Sequence, residues 1–217
     1  MKQKIALFDF DRTVISKDSI FILYDVTARK IPGFRKNLYK SLIAGSLFRS
    51  PKAVKKNVKD RFLSMLRYYT EDEIKAFVYD DVMAYAFKEA VDEIYALKAA
   101  GYYLLLVSAS VEDYLKYAGD VLPFDHIIGT KTDEHFEMVG DNNKHAKKVD
   151  NILAHLTEKG MEIDYENSVA YSDSLAADRP MMELVKTRYL INNKTDAEGY
   201  LHLNWREKAG PFRHLSD

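Results

Sequence analysis

Ile5-Ala6-Leu7-Phe8-Asp9-Phe10-Asp11-Arg12-Thr13 joins an apolar run to two acids that stand one residue apart. A continuous apolar run of this length is typical of a short buried strand. Two ionised carboxylates at the end of such a strand repel each other and resist desolvation, so the pair indicates a bound metal ion or proton-transfer chemistry. The segment therefore predicts a buried strand with a functional site at its C-terminal end.

The length and composition are those of a folded globular protein. The 217 residues suffice for one sizeable core, or for a core and a small second module. Cysteine is absent, which excludes disulfides, thiolate metal sites and thiol catalysis. No apolar stretch approaches the roughly 20 residues that span a bilayer, and no N-terminal segment resembles a signal peptide. We therefore expect a cytoplasmic protein.

The charge is unevenly distributed, although the net charge is only −1. Residues 29–61 contain eleven Lys or Arg and a single acid, Asp60. Such a block is typical either of a solvated helical face or of a surface for an anionic partner. Apolar residues interleave with it, which fits a helical core or contact with an anionic membrane, and we expect no nucleic-acid partner. The interleaved residues are Phe34, Leu38, Leu42, Ile43, Leu47 and Phe48.

Residues from about 18 to 85 have a helical pattern without strand alternation. The pattern breaks at Ile31-Pro32-Gly33 and at Ser50-Pro51. Thr70 and Glu73 have the spacing of a capping box, which predicts the start of a helix. These features predict a separate module of three or four helices.

The remaining sequence alternates between apolar strands and helices. We predict strands at residues 4–10, 102–107, 125–130, 168–171 and 188–191, with helices between them. One of these helices, at residues 144–159, has Val149, Ile152, Leu153 and Leu156 on one side. Continuous apolar strands that alternate with helices predict a doubly wound, Rossmann-like parallel α/β sheet covered on both faces. We expect residues 1–14 and 86–217 to form this core and residues 15–85 to form the inserted all-helical module.

Four motifs in order resemble those of the haloacid dehalogenase superfamily of phosphatases. They are the segment at residues 9–13, Ser108 after an apolar strand, a lysine on a helix, and Asp173-Ser174-Leu175-Ala176-Ala177-Asp178. The resemblance covers essentially the whole chain. The helical module resembles the C1-type cap of the subfamily that contains phosphoserine phosphatases and some phosphatidylglycerophosphate phosphatases. The resemblance implies Mg²⁺-dependent hydrolysis of phosphomonoesters through an aspartyl-phosphate.

The resemblance also implies a role for each motif residue. Asp9 would attack phosphorus, and Asp11 would protonate the leaving alkoxide and then take a proton from water. Ser108 would donate a hydrogen bond to a phosphoryl oxygen. Asp173 and Asp178 would hold Mg²⁺ together with Asp9 and the backbone carbonyl of Asp11. The other residues expected near the substrate are Thr13, Asp18, Ala109 and Ser110.

The lysine that offsets the negative charge has three candidates: Lys144, Lys147 and Lys148. Lys148 is preferred, because Lys148-Val149 with Ile152 four residues after the lysine is similar to the usual lysine-apolar helix start of the family. Three other positions depart from the family pattern. Arg12 stands where glycine or serine is common, Ser172 stands where glycine usually precedes the aspartate of the fourth motif, and Ala177 precedes Asp178.

The substrate stays open between a small phosphorylated metabolite and a lipid head-group phosphate. Phosphoserine phosphatases usually carry a glutamate nine residues after the nucleophile, whereas this chain has Asp18. The residues around Asp173 resemble the phosphatidylglycerophosphate phosphatase branch instead. The alternatives in activity are a phosphotransferase or mutase with the same nucleophile, a receiver-like signalling domain, and an inactive binding module. The order of the motifs argues against a receiver domain.

Overall fold

The computed structural model describes residues 1–46 and 59–210, and the side chains of residues 41–46 lie outside that description. Leu42, Ile43, Leu47 and Phe48, which were expected to interleave with the basic block, therefore fall outside it. The break expected at Ser50-Pro51 also lies outside the described residues.

A parallel sheet of six strands forms the centre of the molecule, in the order β4-β3-β2-β6-β7-β8. A second, two-stranded parallel sheet pairs β1 with β5. The strands are β1 (Lys2–Gln3), β2 (Ile5–Phe8), β3 (Tyr103–Val111), β4 (His126–Thr130), β5 (Glu162–Ile163), β6 (Val169–Ser172), β7 (Thr187–Ile191) and β8 (Leu201–Leu203).

The central strand β2 is apolar throughout because both faces of the sheet are covered. Ala6 and Phe8 belong to one buried apolar cluster, and Ile5 and Leu7 belong to another on the opposite face. This alternation follows from the two-residue period of a strand. All four side chains are fully buried, so the predicted α/β fold with a covered parallel sheet is confirmed.

Thr70 and Glu73 form the predicted capping box: the Thr70 hydroxyl accepts from the Glu73 amide at 3.3 Å, and the Glu73 carboxylate accepts from the Thr70 amide at 2.9 Å.

Helices lie on both sides of the sheet and in one insertion between β2 and β3. The insertion contains α1 (Ser19–Lys30), α2 (Phe34–Ser46), a helical stretch at 59–63, a 3-10 turn (Ser64–Tyr68), α3 (Glu71–Ala76), a π-helical turn (Phe77–Val82) and a 3-10 turn (Met83–Tyr85). The other α-helices are α4 (Lys88–Ala99), α5 (Glu112–Leu115), α6 (Ala146–Glu158) and α7 (Leu175–Met182).

The strand β3 differs from its prediction. It was expected to end at residue 107, but it continues through Ser108 and Ser110 to Val111. Its register with β4 shifts between Val107 and Val111, so the strand is irregular where the polar residues occur. The strand β8 was not predicted, because its three residues are exposed or half-buried and lack a continuous apolar run.

None of the described helices is both long enough and apolar enough to cross a membrane.

Gly129 in β4 is a position where the sheet requires the absence of a side chain. A Cβ atom there would lie 2.8 Å from the Ser110 carbonyl oxygen and 2.9 Å from the Glu112 amide nitrogen. Both are backbone atoms, so they cannot move aside as a flexible side chain can. Gly129 thus lets β4 approach the end of β3 that carries Ser108 and Ser110.

We predict that Gly129→Ala lowers the free energy of unfolding by about 1–3 kcal/mol, the usual cost of overpacking. Urea denaturation measures this change. Gly210→Ala is the matched control, because a Cβ atom there meets no atom of the described residues within 4 Å. Equal stability of the two variants would show that β4 and β3 have room to separate.

Candidate active site

The predicted motifs meet at one edge of the sheet. Asp9 follows β2, Ser108 lies near the end of β3, and Asp173 follows β6. These strands are neighbours and parallel, so their carboxyl ends share an edge, which is where open α/β sheets bind ligands. A cavity of about 280 Å³ opens there. It is lined by Asp9, Asp11, Arg12, Asp18, Ser108, Ala109, Lys144, Lys148, Asp173, Ser174, Ala177 and Asp178.

A buried ammonium lies between two carboxylates at the base of this cavity. Lys148 Nζ is 2.7 Å from Asp9 Oδ1 and 2.8 Å from Asp178 Oδ1. Burial raises the pKa of Asp9 to about 7, although Lys148 opposes this shift. Burial alone would lower the pKa of Lys148, but the two carboxylates outweigh it and the pKa of the lysine is raised. The ammonium therefore stays charged next to Asp9.

The phase of α6 distinguishes Lys148 from the other two lysine candidates. Lys148 is only 1% exposed and lies on the buried side of the helix with Ile152 and Leu156. Lys144 is exposed and precedes the helix, while Lys147 is half-buried and makes no ion pair with a described carboxylate. One detail of the predicted helix is wrong. Leu153 is 44% exposed, because the buried side runs through residues 148, 152, 155 and 156.

Asp11 is held from both sides by hydroxyl and amide donors. Its Oδ1 accepts from the Ser19 amide at 2.6 Å, and its Oδ2 accepts from the Ser110 hydroxyl at 2.6 Å. The Ser19 hydroxyl is 2.9 Å from the Ser110 hydroxyl and 2.8 Å from that of Tyr114. Burial raises the pKa of Asp11, although the hydrogen bonds from Ser110 and Ser19 oppose the rise. A raised pKa suits a carboxyl group that must carry a proton near neutral pH.

Ser19 and Tyr114 were not expected in the site. Ser19 is the first residue of α1 in the helical insertion, and Tyr114 lies in α5. Neither stands in a recognisable motif, so only their contact in the folded chain identifies them. Ser110, which was expected near the substrate, donates its amide to Ser108 Oγ at 3.0 Å.

Thr13 connects the first and fourth motifs. Its hydroxyl donates to Asp9 Oδ2 at 3.2 Å and accepts from the Asp173 amide at 2.9 Å. Thr13 is fully buried, so this link is shielded from water. The two aspartates therefore adjoin the same hydroxyl, although 164 positions separate them in the chain.

Asp178 and Asp173 differ in the contacts that the protein makes with their carboxylates. Asp178 Oδ2 accepts from the Ser172 hydroxyl at 2.7 Å, so the unusual serine before the motif holds this acid in place. Asp178 Oδ1 forms an ion pair with Lys148, but the geometry of this contact is not that of a hydrogen bond. Among residues 1–46 and 59–210, no hydrogen bond or ion pair reaches the carboxylate of Asp173. Burial, followed by the charge of Asp178, raises the pKa of Asp173 to about 6.

Arg12 and Asp18 form an ion pair at the rim of the cavity. Arg12 Nη2 is 2.6 Å and Nε is 3.1 Å from Asp18 Oδ2. The backbone of Arg12 has φ 59°, in the left-handed region that favours glycine. This conformation accounts for glycine as one of the usual residues at this turn, because glycine adopts a positive φ without strain.

The acids present fit a Mg²⁺ site that the substrate completes. No three described His, Asp or Glu side chains are close enough to enclose a cation by themselves. Mg²⁺ usually takes only one or two protein carboxylates and keeps positions for water and phosphate oxygens. Within the described part of the chain, no donor reaches the Asp173 carboxylate and the Thr13 hydroxyl at 3.2 Å is the only donor to Asp9 Oδ2, so both acids have oxygens to offer. Asp178 is held by Lys148 and Ser172.

The sequence matches the family described as haloacid dehalogenase-like hydrolase over residues 6–183. This match covers most of the chain, including all four motifs. The chain therefore belongs to the haloacid dehalogenase-like hydrolase family, as the resemblance in the motifs predicted. None of the curated proteins compared with the chain matches its sequence.

Three solved structures illustrate the similarity in fold. A protein of unknown function from Bordetella pertussis Tohama I has a TM-score of 0.70 and 21% identity over 89% of this chain and 92% of its own. A phosphoserine phosphatase, solved as a phospho-aspartyl intermediate analogue, has a TM-score of 0.60 and 18% identity over 89% and 88%. A HAD family hydrolase from Salmonella enterica serovar Typhi has a TM-score of 0.64 and 17% identity over 89% and 64%. These likenesses confirm a parallel α/β core with a helical insertion.

We predict that Asp173→Asn stabilises the metal-free protein at high pH. The pKa of Asp173 is about 6 in the folded chain against 3.8 for a free aspartate, so the folded protein holds this proton more tightly. The stability that protonated Asp173 contributes is therefore fully present below about pH 4 and is lost as the pH rises through about 6. Asparagine cannot ionise. In EDTA at about pH 8 the variant should unfold with a free energy higher by on the order of 1–2 kcal/mol, and the gain should vanish near pH 4.

Urea unfolding across this pH range measures the difference. Asp141→Asn is the control, because Asp141 is an exposed acid, and its curve should follow the unchanged protein. A gain for Asp173→Asn that is the same at every pH would rule out an ionisation effect.

Proposed function

We propose that the protein is a Mg²⁺-dependent phosphomonoester hydrolase that acts through an aspartyl-phosphate at Asp9. The observation that carries this proposal is the buried contact of Lys148 with Asp9 at 2.7 Å, in a cavity that also holds Asp11 and Asp173. A nucleophilic carboxylate, a fixed cation and a carboxyl group with a raised pKa are the parts that phosphoryl transfer requires. The phosphoserine phosphatase with a similar fold supports the same reaction class.

Asp9 would be the nucleophile because its position is fixed by two partners. Lys148 holds Oδ1, and the Thr13 hydroxyl contacts Oδ2 at 3.2 Å. Attack on phosphorus would form an Asp9–phosphate bond as the bond to the ester oxygen breaks. Lys148 would offset the charge that develops during this step, because its ammonium is buried and does not need to reorganise.

Asp11 would donate a proton to the leaving oxygen. Burial raises the pKa of Asp11, and the hydroxyl of Ser110 and the amide of Ser19 fix its orientation. After the alcohol leaves, the ionised Asp11 would take a proton from the water that attacks the Asp9–phosphate bond. The products would be the alcohol, inorganic phosphate and the regenerated carboxylate of Asp9.

The remaining residues would bind the phosphoryl group and Mg²⁺. Ser108 and Lys144 line the same cavity and would face the phosphoryl oxygens. Asp9, Asp173 and the backbone carbonyl of Asp11 would hold Mg²⁺, with Asp178 acting through Lys148 or water. When bound, Mg²⁺ supplies positive charge that favours ionised Asp9 and offsets the charge of the phosphoryl oxygens.

We expect Asp9→Asn to abolish turnover of p-nitrophenyl phosphate, because the amide is not a nucleophile. Asp11→Asn should behave differently. Its first step needs little acid, since nitrophenolate leaves readily, whereas its second step lacks the base. It should therefore release a rapid, stoichiometric burst of nitrophenolate and then turn over at least about 100-fold more slowly than the unchanged protein, as loss of a general base predicts.

Rapid-mixing absorbance and intact mass measure this burst and the phosphoenzyme that accompanies it. Asp141→Asn again serves as the control for the loss of an exposed acid. A burst from Asp9→Asn would place the nucleophile elsewhere. Absence of both burst and turnover in every form, the unchanged chain included, would contradict the proposed activity.

We predict that Mg²⁺ stabilises the protein through Asp173. A ligand at about 100 times its Kd adds about 2.7 kcal/mol to the stability of the form that binds it. The unchanged chain should show this gain at neutral pH, and Asp173→Asn should lose most of it. Thermal unfolding with Mg²⁺ and with EDTA measures the effect without any substrate, and equal gains in both proteins would exclude Asp173 as a ligand.

A further inference from the structure

A second cavity, of about 350 Å³, opens next to the phosphoryl cavity. The two share Asp11, Asp18, Ala109 and Lys144 in their walls. Asp11 is the residue proposed to protonate the leaving oxygen, so a group attached to that oxygen would enter the second cavity. Its volume is at the lower end of the roughly 300–1,000 Å³ of small-molecule sites.

The walls of this second cavity are mainly apolar. Ile20, Phe21, Phe62, Leu63 and Val111 line it. The rings of Phe21 and Phe62 are 6.3 Å apart at 88°, an edge-to-face pair. Phe21 is nevertheless 55% exposed, so a ligand in the cavity would cover an aromatic ring that now faces solvent.

Two of the charged groups of the cavity, Asp18 and Lys59, are already engaged within the protein. Asp18 pairs with Arg12 at 2.6 Å. The Lys59 ammonium donates to the Ala109 carbonyl at 2.8 Å and to Asn142 Oδ1 at 2.6 Å, and burial lowers the pKa of Lys59 to about 8. Lys144 lines both cavities, so its charge is placed to meet the phosphoryl group itself.

We propose that the second cavity selects phosphomonoesters of small apolar alcohols, with the alkyl or aryl group of the alcohol packed against the Phe21 and Phe62 pair that lines it. This inference rests on the proposed function, because it places the phosphoryl group beside Asp9. A zwitterionic alcohol such as serine would have to break the Arg12–Asp18 pair to find a charged partner at Asp18. The cavity volume of about 350 Å³ suits one small alkyl or aryl group, whereas the two acyl chains of a membrane lipid are larger than the cavity.

The direct test measures kcat/KM for n-alkyl phosphates from ethyl to hexyl, for O-phosphoserine, and for phosphatidic acid in phosphatidylcholine vesicles. We expect kcat/KM to rise about two- to fourfold per added methylene, as about 0.8 kcal/mol per buried CH₂ predicts at its upper limit. Phosphoserine should be a poorer substrate than ethyl phosphate. A preference for phosphatidic acid in vesicles over hexyl phosphate, or for phosphoserine over the alkyl series, would overturn the proposal.

Variants locate the effect. Phe21→Ser should flatten the dependence on chain length, and its exposed position should leave the fold intact. Phe62→Leu should retain part of the dependence, because leucine stays apolar. Tyr39→Ser is the matched control, since Tyr39 is an exposed aromatic of the same insertion that does not line the cavity. If kcat/KM depended equally on chain length in Phe21→Ser and Tyr39→Ser, the proposed position of the alkyl group beside Phe21 would be wrong.

A binding measurement separates this proposal from the proposed function. n-Alkylphosphonates cannot be hydrolysed, and calorimetry with Mg²⁺ present measures their affinity directly. Affinity that rises with chain length, without hydrolysis of any ester, would support the cavity and refute the hydrolase. Hydrolysis at rates independent of chain length, with equal affinity for all phosphonates, would refute the cavity and leave the hydrolase intact.

Discussion

The site depends on the ion pairs that the buried ammonium of Lys148 forms with two carboxylates. It joins three elements: α6, which carries the lysine, the end of β2 at Asp9, and α7 with Asp178. Two carboxylates and one ammonium leave a net negative charge in a place shielded from water, and removal of these charges from water is costly. The raised pKa of Asp9 is the result of that cost. A protein keeps such an arrangement where the excess negative charge has a partner to bind, and the partner proposed here is a divalent cation.

The helical insertion contributes to the chemistry as well as covering the sheet. Ser19, the first residue of its helix α1, donates its amide to Asp11, and its hydroxyl contacts Ser110 and Tyr114. The orientation of Asp11 therefore depends on how the insertion sits on the ends of β3 and α5. A displacement of α1 would change the position of the Asp11 carboxyl group without touching Asp9 or Lys148. In the proposed mechanism, the position of the insertion would therefore affect the proton-transfer step at Asp11.

The sequence predicts the sheet and the meeting of its motifs well, because the carboxyl ends of parallel strands share one edge. It also points to Lys148, because Lys148-Val149 with Ile152 resembles the lysine-apolar helix start of the family. The contacts of Ser19, Tyr114 and Ser172 are different. These hydrogen bonds depend on which residues the folded chain brings together and on how each hydroxyl group is oriented. No periodic pattern in the sequence predicts them. The exposure of Leu153 shows the same limit, because an apolar residue next to the buried face of a helix can lie on either side of its edge.

The position of Asp11 between two unlike cavities explains how its environment is set. On one side are charged groups such as Asp9 and Lys148, and on the other are Phe62 and Val111. The apolar side removes water and raises the pKa of the carboxyl group, whereas the hydroxyl of Ser110 opposes that rise. An apolar group placed in the second cavity would exclude more water and would strengthen electrostatic interactions at Asp11. The groups that would bind the alcohol therefore also adjust the acid that would release it.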